Sequence, residues 1–207
     1  MLLTFLGEFP AMARKKKAPV EIRFPSLLHG MKRGPAVITP KDIGLVISYT
    51  GIGKNSKVVE AGAGSGFATV VLGNIAKSVV SYERNKEFAE LAGKNVKRAK
   101  LKNVKIKHAD ILGGIGETGV DLVLLDMPES AKAVPSAYKA LANGGHLVGF
   151  LPNMEQAKEF YLSCEEAGFP DVFMVESMVR EYDVRVYGVR PKHVGLTHTA
   201  YLVFAQK

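Results

Sequence analysis

Gly62, Gly64 and Gly66 stand at alternate positions after an apolar run that ends in an acid, Val58-Val59-Glu60. That order reads as a strand, a tight turn and the opening of a helix. Without Cβ atoms the turn lets backbone N–H groups come close to a ligand, and the helix N-terminus adds a partial positive field. The sixth position of this loop is Phe67, where a dinucleotide fold wants Gly or Ala. No Gly-Lys-Ser/Thr ending follows, which argues against a triphosphate. The next apolar run, Ser78-Val79-Val80-Ser81-Tyr82-Glu83, also closes on an acid, and Glu83 is placed to accept from two ribose hydroxyls. A glycine loop and a ribose acid together indicate a bound nucleoside. S-adenosylmethionine fits best, because its adenosine and charged amino-acid tail suit Glu60, Gly64 and Glu83.

Two more acids fall at strand ends, the place where open α/β sheets bind ligands. Asp110, in Lys107-His108-Ala109-Asp110-Ile111, can accept from the adenine amino group or cap the turn that follows. Asp126 closes Val123-Leu124-Leu125-Asp126 and is the candidate for substrate contact; its alternative is again a helix cap. Asp126-Met127-Pro128-Glu129 is near the Asp-Pro-Pro-aromatic motif of exocyclic-amine methylases. It lacks the second proline and the stacking aromatic, which argues against transfer to an exocyclic amine. No Cys/His spacing resembles a zinc site, and no metal is expected. The single cysteine, Cys164, falls in a helical stretch and reads as a buried thiol in a reducing compartment.

Positioning these groups requires a sheet. After Pro40, short apolar runs alternate with longer amphipathic ones, the pattern of a parallel sheet wrapped by helices. Thr39-Pro40 reads as an N-cap and first-turn proline. Strands are expected at 57–60, 78–82, 104–108, 120–126 and 146–151, and helices near 68–75, 86–98, 131–141 and 154–167. Gly144-Gly145 and Gly168 are read as helix exits. Strands at 171–177 and 199–205 follow, joined by a polar loop around Arg190-Pro191-Lys192 that leaves no room for a crossover helix. They should pair antiparallel at one edge. The fold class is therefore α/β, the mostly parallel seven-stranded sheet of class I methyltransferases with one antiparallel edge strand and helices on both faces.

Charge narrows the partners. The 207 residues carry a net charge of +8, with 47% hydrophobic and 23% charged residues, as in an ordinary globular domain. Two stretches are basic, 14–33 and 94–107, which points to a polyanionic partner without identifying it. Residues 1–30 read as a basic arm and 31–207 as the catalytic domain. The apolar opening precedes its basic cluster, Arg14-Lys15-Lys16-Lys17, the reverse of a signal peptide, and Met12 is an alternative start. No membrane partner and a cytoplasmic location are expected.

From residue 32 to 207 the chain resembles the tRNA (adenine-N1)-methyltransferases that act in the T-loop. The resemblance rests on six motifs in order. Met31-Lys32-Arg33-Gly34-Pro35-Ala36-Val37-Ile38-Thr39-Pro40-Lys41-Asp42 is similar to the family's Arg-x-x-Gln-x-x-x-Pro-Lys-Asp signature. Glu60–Gly66, Ser81-Tyr82-Glu83 and Leu125-Asp126-Met127-Pro128 follow, then Leu151-Pro152-Asn153-Met154-Glu155-Gln156 with Tyr182-Asp183-Val184-Arg185, and His198-Thr199-Ala200-Tyr201-Leu202 closes the series. The departures are Ala36 at the glutamine position and the short stretch before Lys32, where the family carries an N-terminal β domain. The resemblance implies S-adenosylmethionine as cofactor, tRNA as substrate, Asp126 as catalytic residue and a homotetramer. It also selects Tyr182 and Arg185 as substrate contacts. Arg190 joins them as a cation read at the substrate end of the sheet.

Adenine N1 carries a lone pair and no proton, so methylation there needs positioning and charge stabilisation rather than a strong base. Asp126, accepting from the exocyclic amino group, would orient the base and offset the positive charge that grows on the ring. Two other readings compete: a small-molecule, corrin-type class I methyltransferase, and a non-catalytic cofactor-binding RNA module.

Overall fold

The structure, a computed structural model, describes residues 22–34, 37–193 and 195–207. The basic cluster at Arg14–Lys17, Met12 and Ala36 lie outside the described residues.

A seven-stranded sheet forms the centre. Its strands are β1 (Lys57–Ala61), β2 (Ser78–Glu83), β3 (Val104–His108), β4 (Val120–Leu125), β5 (Leu141–Leu151), β6 (Asp171–Glu176) and, last in the chain, β9 (Tyr201–Gln206). Spatial order is β3-β2-β1-β4-β5-β9-β6. The pairs β1–β2, β1–β4, β2–β3 and β4–β5 are parallel, whereas β9 runs antiparallel to both β5 and β6. The expected antiparallel pair does lie at one edge. Its reversed member, β9, is the inner strand, and β6 takes the edge.

Helices α1 (Pro40–Thr50), α2 (Phe67–Ile75), α3 (Lys86–Arg98), α4 (Ser130–Ala140) and α5 (Met154–Glu166) cover the faces. Alternation along the strands divides the core in two. Val59, Val123, Leu125, Leu147 and Leu151 pack with Ala133, Ala137 and Phe160 of α4 and α5. Val58, Leu122, Leu124, Val148 and Phe150 pack with Ile43, Val46 and Leu72 of α1 and α2. With both faces covered, β4 ends in the continuous apolar run Leu122-Val123-Leu124-Leu125 rather than an alternating pattern. Cys164 is fully buried on α5, and burial pushes its thiol up to about 12. It is a packing residue. No helix among the described residues is long and apolar enough to cross a membrane.

Two local readings are corrected. Gly144 and Gly145 lie inside β5, not at a helix exit: α4 ends at Ala140, and the β4–β5 register slips between Val120 and Leu122. Gly144 takes a φ of +78° at this irregularity. The stretch around Arg190 is a β-hairpin, β7 (Tyr182–Arg185) paired antiparallel with β8 (Gly188–Pro191), rather than a polar loop. Its apolar side chains face solvent, with Val186 and Tyr187 more than 90% exposed.

Candidate active site

The glycine loop joins β1 to α2 at the carboxyl end of the sheet. Gly62 and Ala63 donate to the Tyr82 carbonyl, Gly64 donates to Glu83 Oε2 at 2.8 Å, and Gly66 N donates to the Ala63 carbonyl at 2.7 Å. Gly62 has no alternative residue. Its φ is +87°, and a Cβ there would lie 1.9 Å from the Asp126 carbonyl oxygen. The Asp126 N–H in turn donates to the Ala61 carbonyl at 2.9 Å. Residues 64 positions apart are thus pressed together by the β1–β4 pairing. Gly66 is the N-cap of α2 and supplies no side-chain acceptor, so the first-turn N–H groups of that helix keep their donors for a ligand.

A pocket opens here, lined by Val37, Ile38, Glu60, Gly62, Ser65 and Asp126 among others. Glu60 is 1% exposed, and its Oε2 accepts from the Thr69 hydroxyl at 2.6 Å and the Ser81 hydroxyl at 2.7 Å. Burial raises its pKa, outweighing those two hydrogen bonds. The Asp126 carboxylate has no hydrogen-bond or ion-pair partner among the described residues. Burial first, then the charges of Glu60 and Glu83, raise it from 3.8 to about 7. Asp126 does not cap α4, because Glu129 is the N-cap residue there. The capping alternative is therefore excluded, and a half-buried, perturbed carboxyl lining a pocket beside a glycine loop marks a functional site.

The other expected residues divide. Glu83 is buried, and its two oxygens accept from Gly64 N and Asn85 N, so it sets the loop's position. Phe67, the first residue of α2, packs edge-on to Phe24 at 5.3 Å and is buried. Asp110 caps a 3₁₀ turn, Ile111–Gly113, by accepting from Leu112 N at 2.9 Å, and it is exposed with its second oxygen uncommitted. Tyr182, Arg185 and Arg190 are not brought to the pocket. They sit on the exposed hairpin, where both arginines approach Asp183, at 3.6 and 3.9 Å.

Four features were not read from the sequence. Ser65 is 2% exposed, lines the pocket, and its hydroxyl has no partner. A buried hydroxyl without a partner in a pocket wall is free to bond a polar ligand group. Serine is common enough in tight turns to hide that role. Tyr82 directs its hydroxyl to Glu117 while Lys107 donates to both, bracing the β2 end beside the loop. The Gln156 amide approaches the Pro128 carbonyl at 3.4 Å, beside the segment that carries Asp126, and its Oε1 is buried without a partner. Lys41 is the fourth. Its ammonium donates to Asp42 at 2.6 Å, to the Ser177 carbonyl at 2.8 Å and to the Thr199 hydroxyl at 2.6 Å, while the Thr39 hydroxyl donates to the other Asp42 oxygen. Ser177 and Thr199 are the two roots of the hairpin segment. Lys41 therefore binds that segment to the residues just after Val37 and Ile38, which form one wall of the pocket.

The cofactor expected from the sequence can be tested against these groups. A glycine cradle, a buried unpartnered hydroxyl at Ser65, an open helix N-terminus and acids at Glu83 and Asp126 match a ligand with a carboxylate, a ribose and positive charge. The donor set fits S-adenosylmethionine.

Comparison with known proteins agrees. Residues 31–199 match the sequence profile of the family described as tRNA methyltransferase complex GCD14 subunit. The chain is 34% identical over 210 residues to the tRNA (adenine(57)-N(1)/adenine(58)-N(1))-methyltransferase TrmI of Methanocaldococcus jannaschii, covering 87% of this chain and 74% of that protein. It is 32% identical to the tRNA (adenine(58)-N(1))-methyltransferase TrmI of Thermus thermophilus, covering 86% and 71%. Among solved structures, tRNA (m1A58) methyltransferase TrmI from Aquifex aeolicus superposes with a TM-score of 0.81 at 31% identity, covering 87% of this chain and 73% of that one.

Proposed function

The chain belongs to the GCD14 family of tRNA methyltransferase subunits, and from that premise we propose that it methylates N1 of an adenine in the T-loop of tRNA. When bound, S-adenosylmethionine would supply an electrophilic methyl carbon on a sulfonium: the N1 lone pair would form the new N–C bond as the C–S bond breaks and its electron pair stays on sulfur. The protein's share is positional and electrostatic. The glycine loop and Ser65 hold the amino-acid end of the cofactor, and Glu83 holds the ribose. Asp126 accepts from the adenine's exocyclic amino group, fixing the ring and offsetting the positive charge that develops on it.

The observation that carries this reading is the Asp126 carboxylate, half-buried and unpartnered in the wall of the pocket beside the glycine loop. No proton has to leave N1, so the site needs no stronger base. The hairpin bearing Tyr182, Arg185 and Arg190, fastened at its roots by Lys41, contributes to the RNA face outside the pocket. Its bare apolar residues, Val184, Val186, Tyr187 and Val189, support assembly into a homo-oligomer, a homotetramer by family likeness. A cytoplasmic setting completes the reading. The test is methyl transfer to an unmodified tRNA transcript with the digest resolved to nucleosides, run beside cofactor calorimetry on the same sample. Cofactor binding with turnover supports the enzyme; binding without turnover favours a non-catalytic module.

A further inference from the structure

Lys32 and Arg33, at the end of the first basic stretch, meet the second in the fold. Asn95, on α3 and 3% exposed, donates through Nδ2 to the Ser65 carbonyl at 2.7 Å and to the Lys32 carbonyl at 3.0 Å. Its Oδ1 accepts from Lys32 N at 3.2 Å. One amide thus fastens the segment carrying Lys32 and Arg33 to α3 and to the glycine loop. Arg33 lies over the Phe24 ring at 5.5 Å, and Arg98 donates to the His29 carbonyl at 3.1 Å.

Around this joint the exposed charge has one sign. Lys94 and Lys97 are one turn apart on α3, and Lys102 and Lys105 follow on the turn and strand at the free edge of the sheet. From residue 94 to 109 the sequence contains no acid. None of Lys32, Arg33, Lys94, Lys97, Lys102 and Lys105 forms an ion pair with another described residue. Lys107, which belongs to the same basic stretch in sequence, is different: Glu117 neutralises it. The acids of α3, Glu87 and Glu90, fall in its first half. A folded protein accepts such self-repulsion without obvious gain in stability, and the field it creates suits a polyanion.

The surface also begins beside the pocket. Val37, a pocket-lining residue, is four positions on from Arg33, so at most about 14 Å of extended chain lies between them. A strand of phosphates leaving the pocket would meet Arg33 and Lys32 first, then α3, then the β3 edge.

We propose that this composite surface, assembled by Asn95 from Lys32, Arg33 and the α3–β3 lysines, binds the phosphate backbone of the tRNA outside the target loop. The proposal rests on tRNA being the substrate. It adds a second contact region, behind the glycine loop and distinct from the hairpin.

The test replaces three exposed lysines far from the pocket, Lys97→Gln, Lys102→Gln and Lys105→Gln together, and reads tRNA binding directly by fluorescence anisotropy, without turnover. Each lost phosphate contact removes about 0.7–0.9 from the slope of log affinity against log salt, so three contacts remove about 2–3. Between 50 and 200 mM salt, a fourfold change, the parent's Kd should therefore weaken roughly 20- to 40-fold more than the variant's. Thermal unfolding, cofactor affinity and kcat at saturating tRNA should stay at the parent's values. A variant with the parent's Kd and salt slope overturns the proposal and leaves this face to an acidic protein partner or to solvent. If the parent binds tRNA through this surface but never methylates it, the reaction assigned above fails while the surface stands.

Discussion

Asp126→Asn should separate stability from activity, and the structure sets the size of the effect. Burial and the charges of Glu60 and Glu83 raise Asp126 from 3.8 to about 7. Below pH 4 the carboxyl is protonated in folded and unfolded chains alike, and it contributes nothing to the difference. Between about pH 4 and 7 the unfolded chain releases this proton while the folded chain keeps it, so stability falls by about 1.4 kcal/mol per pH unit. Above pH 7 the folded chain carries a constant deficit of about 4 kcal/mol, which solvent at the pocket mouth reduces to roughly 2–4 kcal/mol. Asparagine has the same shape and no such charge. The assay is urea unfolding of both proteins, without cofactor, at pH 4, 6 and 8. The variant should match the parent at pH 4 and exceed it by about 2–4 kcal/mol at pH 8, while turnover drops about 10²–10³-fold. A stability difference that does not change with pH, or a variant less stable at pH 8, would refute the reasoning. So would a variant that turns over at the parental rate.

Further outcomes follow from the same geometry. Glu60→Gln keeps an acceptor for Thr69 and Ser81 and removes the charge nearest in effect to Asp126, so the midpoint of the pH profile of kcat/KM should move below 7; an unmoved midpoint counts against that coupling. Gly62→Ala forces a Cβ against the Asp126 carbonyl and should cost about 2–4 kcal/mol in thermal unfolding together with cofactor affinity in calorimetry. Gly44→Ala, in an open position on α1, is its control and should stabilise by up to about 1 kcal/mol. Lys41→Met strands the fully buried Asp42 and should lose about 3–5 kcal/mol, with part restored by adding Asp42→Asn. In the single variant, amide exchange at Ser177 and Thr199 should accelerate ahead of the core strands.

What could be read from the residues was what period and chemistry dictate locally. The glycine loop, the bounds of α3 and β3, and the acids at strand ends all follow from apolar runs and turn residues. The position of β9 does not, because an antiparallel pair at an edge can be ordered two ways, and only the packing of α5 and α1 on either face of the sheet decides. The hairpin was legible and was missed: Tyr182, Val184 and Val186 alternate with Asp183 and Arg185, but the charges disguised the period. Asp126 and Glu60 were visible as acids ending apolar runs. That Gly62 exists to admit the Asp126 backbone was not visible, since 64 residues separate them. The roles of Lys41 and Asn95 were equally hidden. Each is a polar residue whose meaning comes entirely from what the sheet brings against it.

The central claim is the atom that receives the methyl group. The chain, labelled S-adenosylmethionine and an unmodified tRNA transcript should yield, after digestion to nucleosides and mass analysis, labelled 1-methyladenosine from a T-loop adenine. A labelled nucleoside methylated at any other atom would contradict the reaction assigned here while leaving the fold intact.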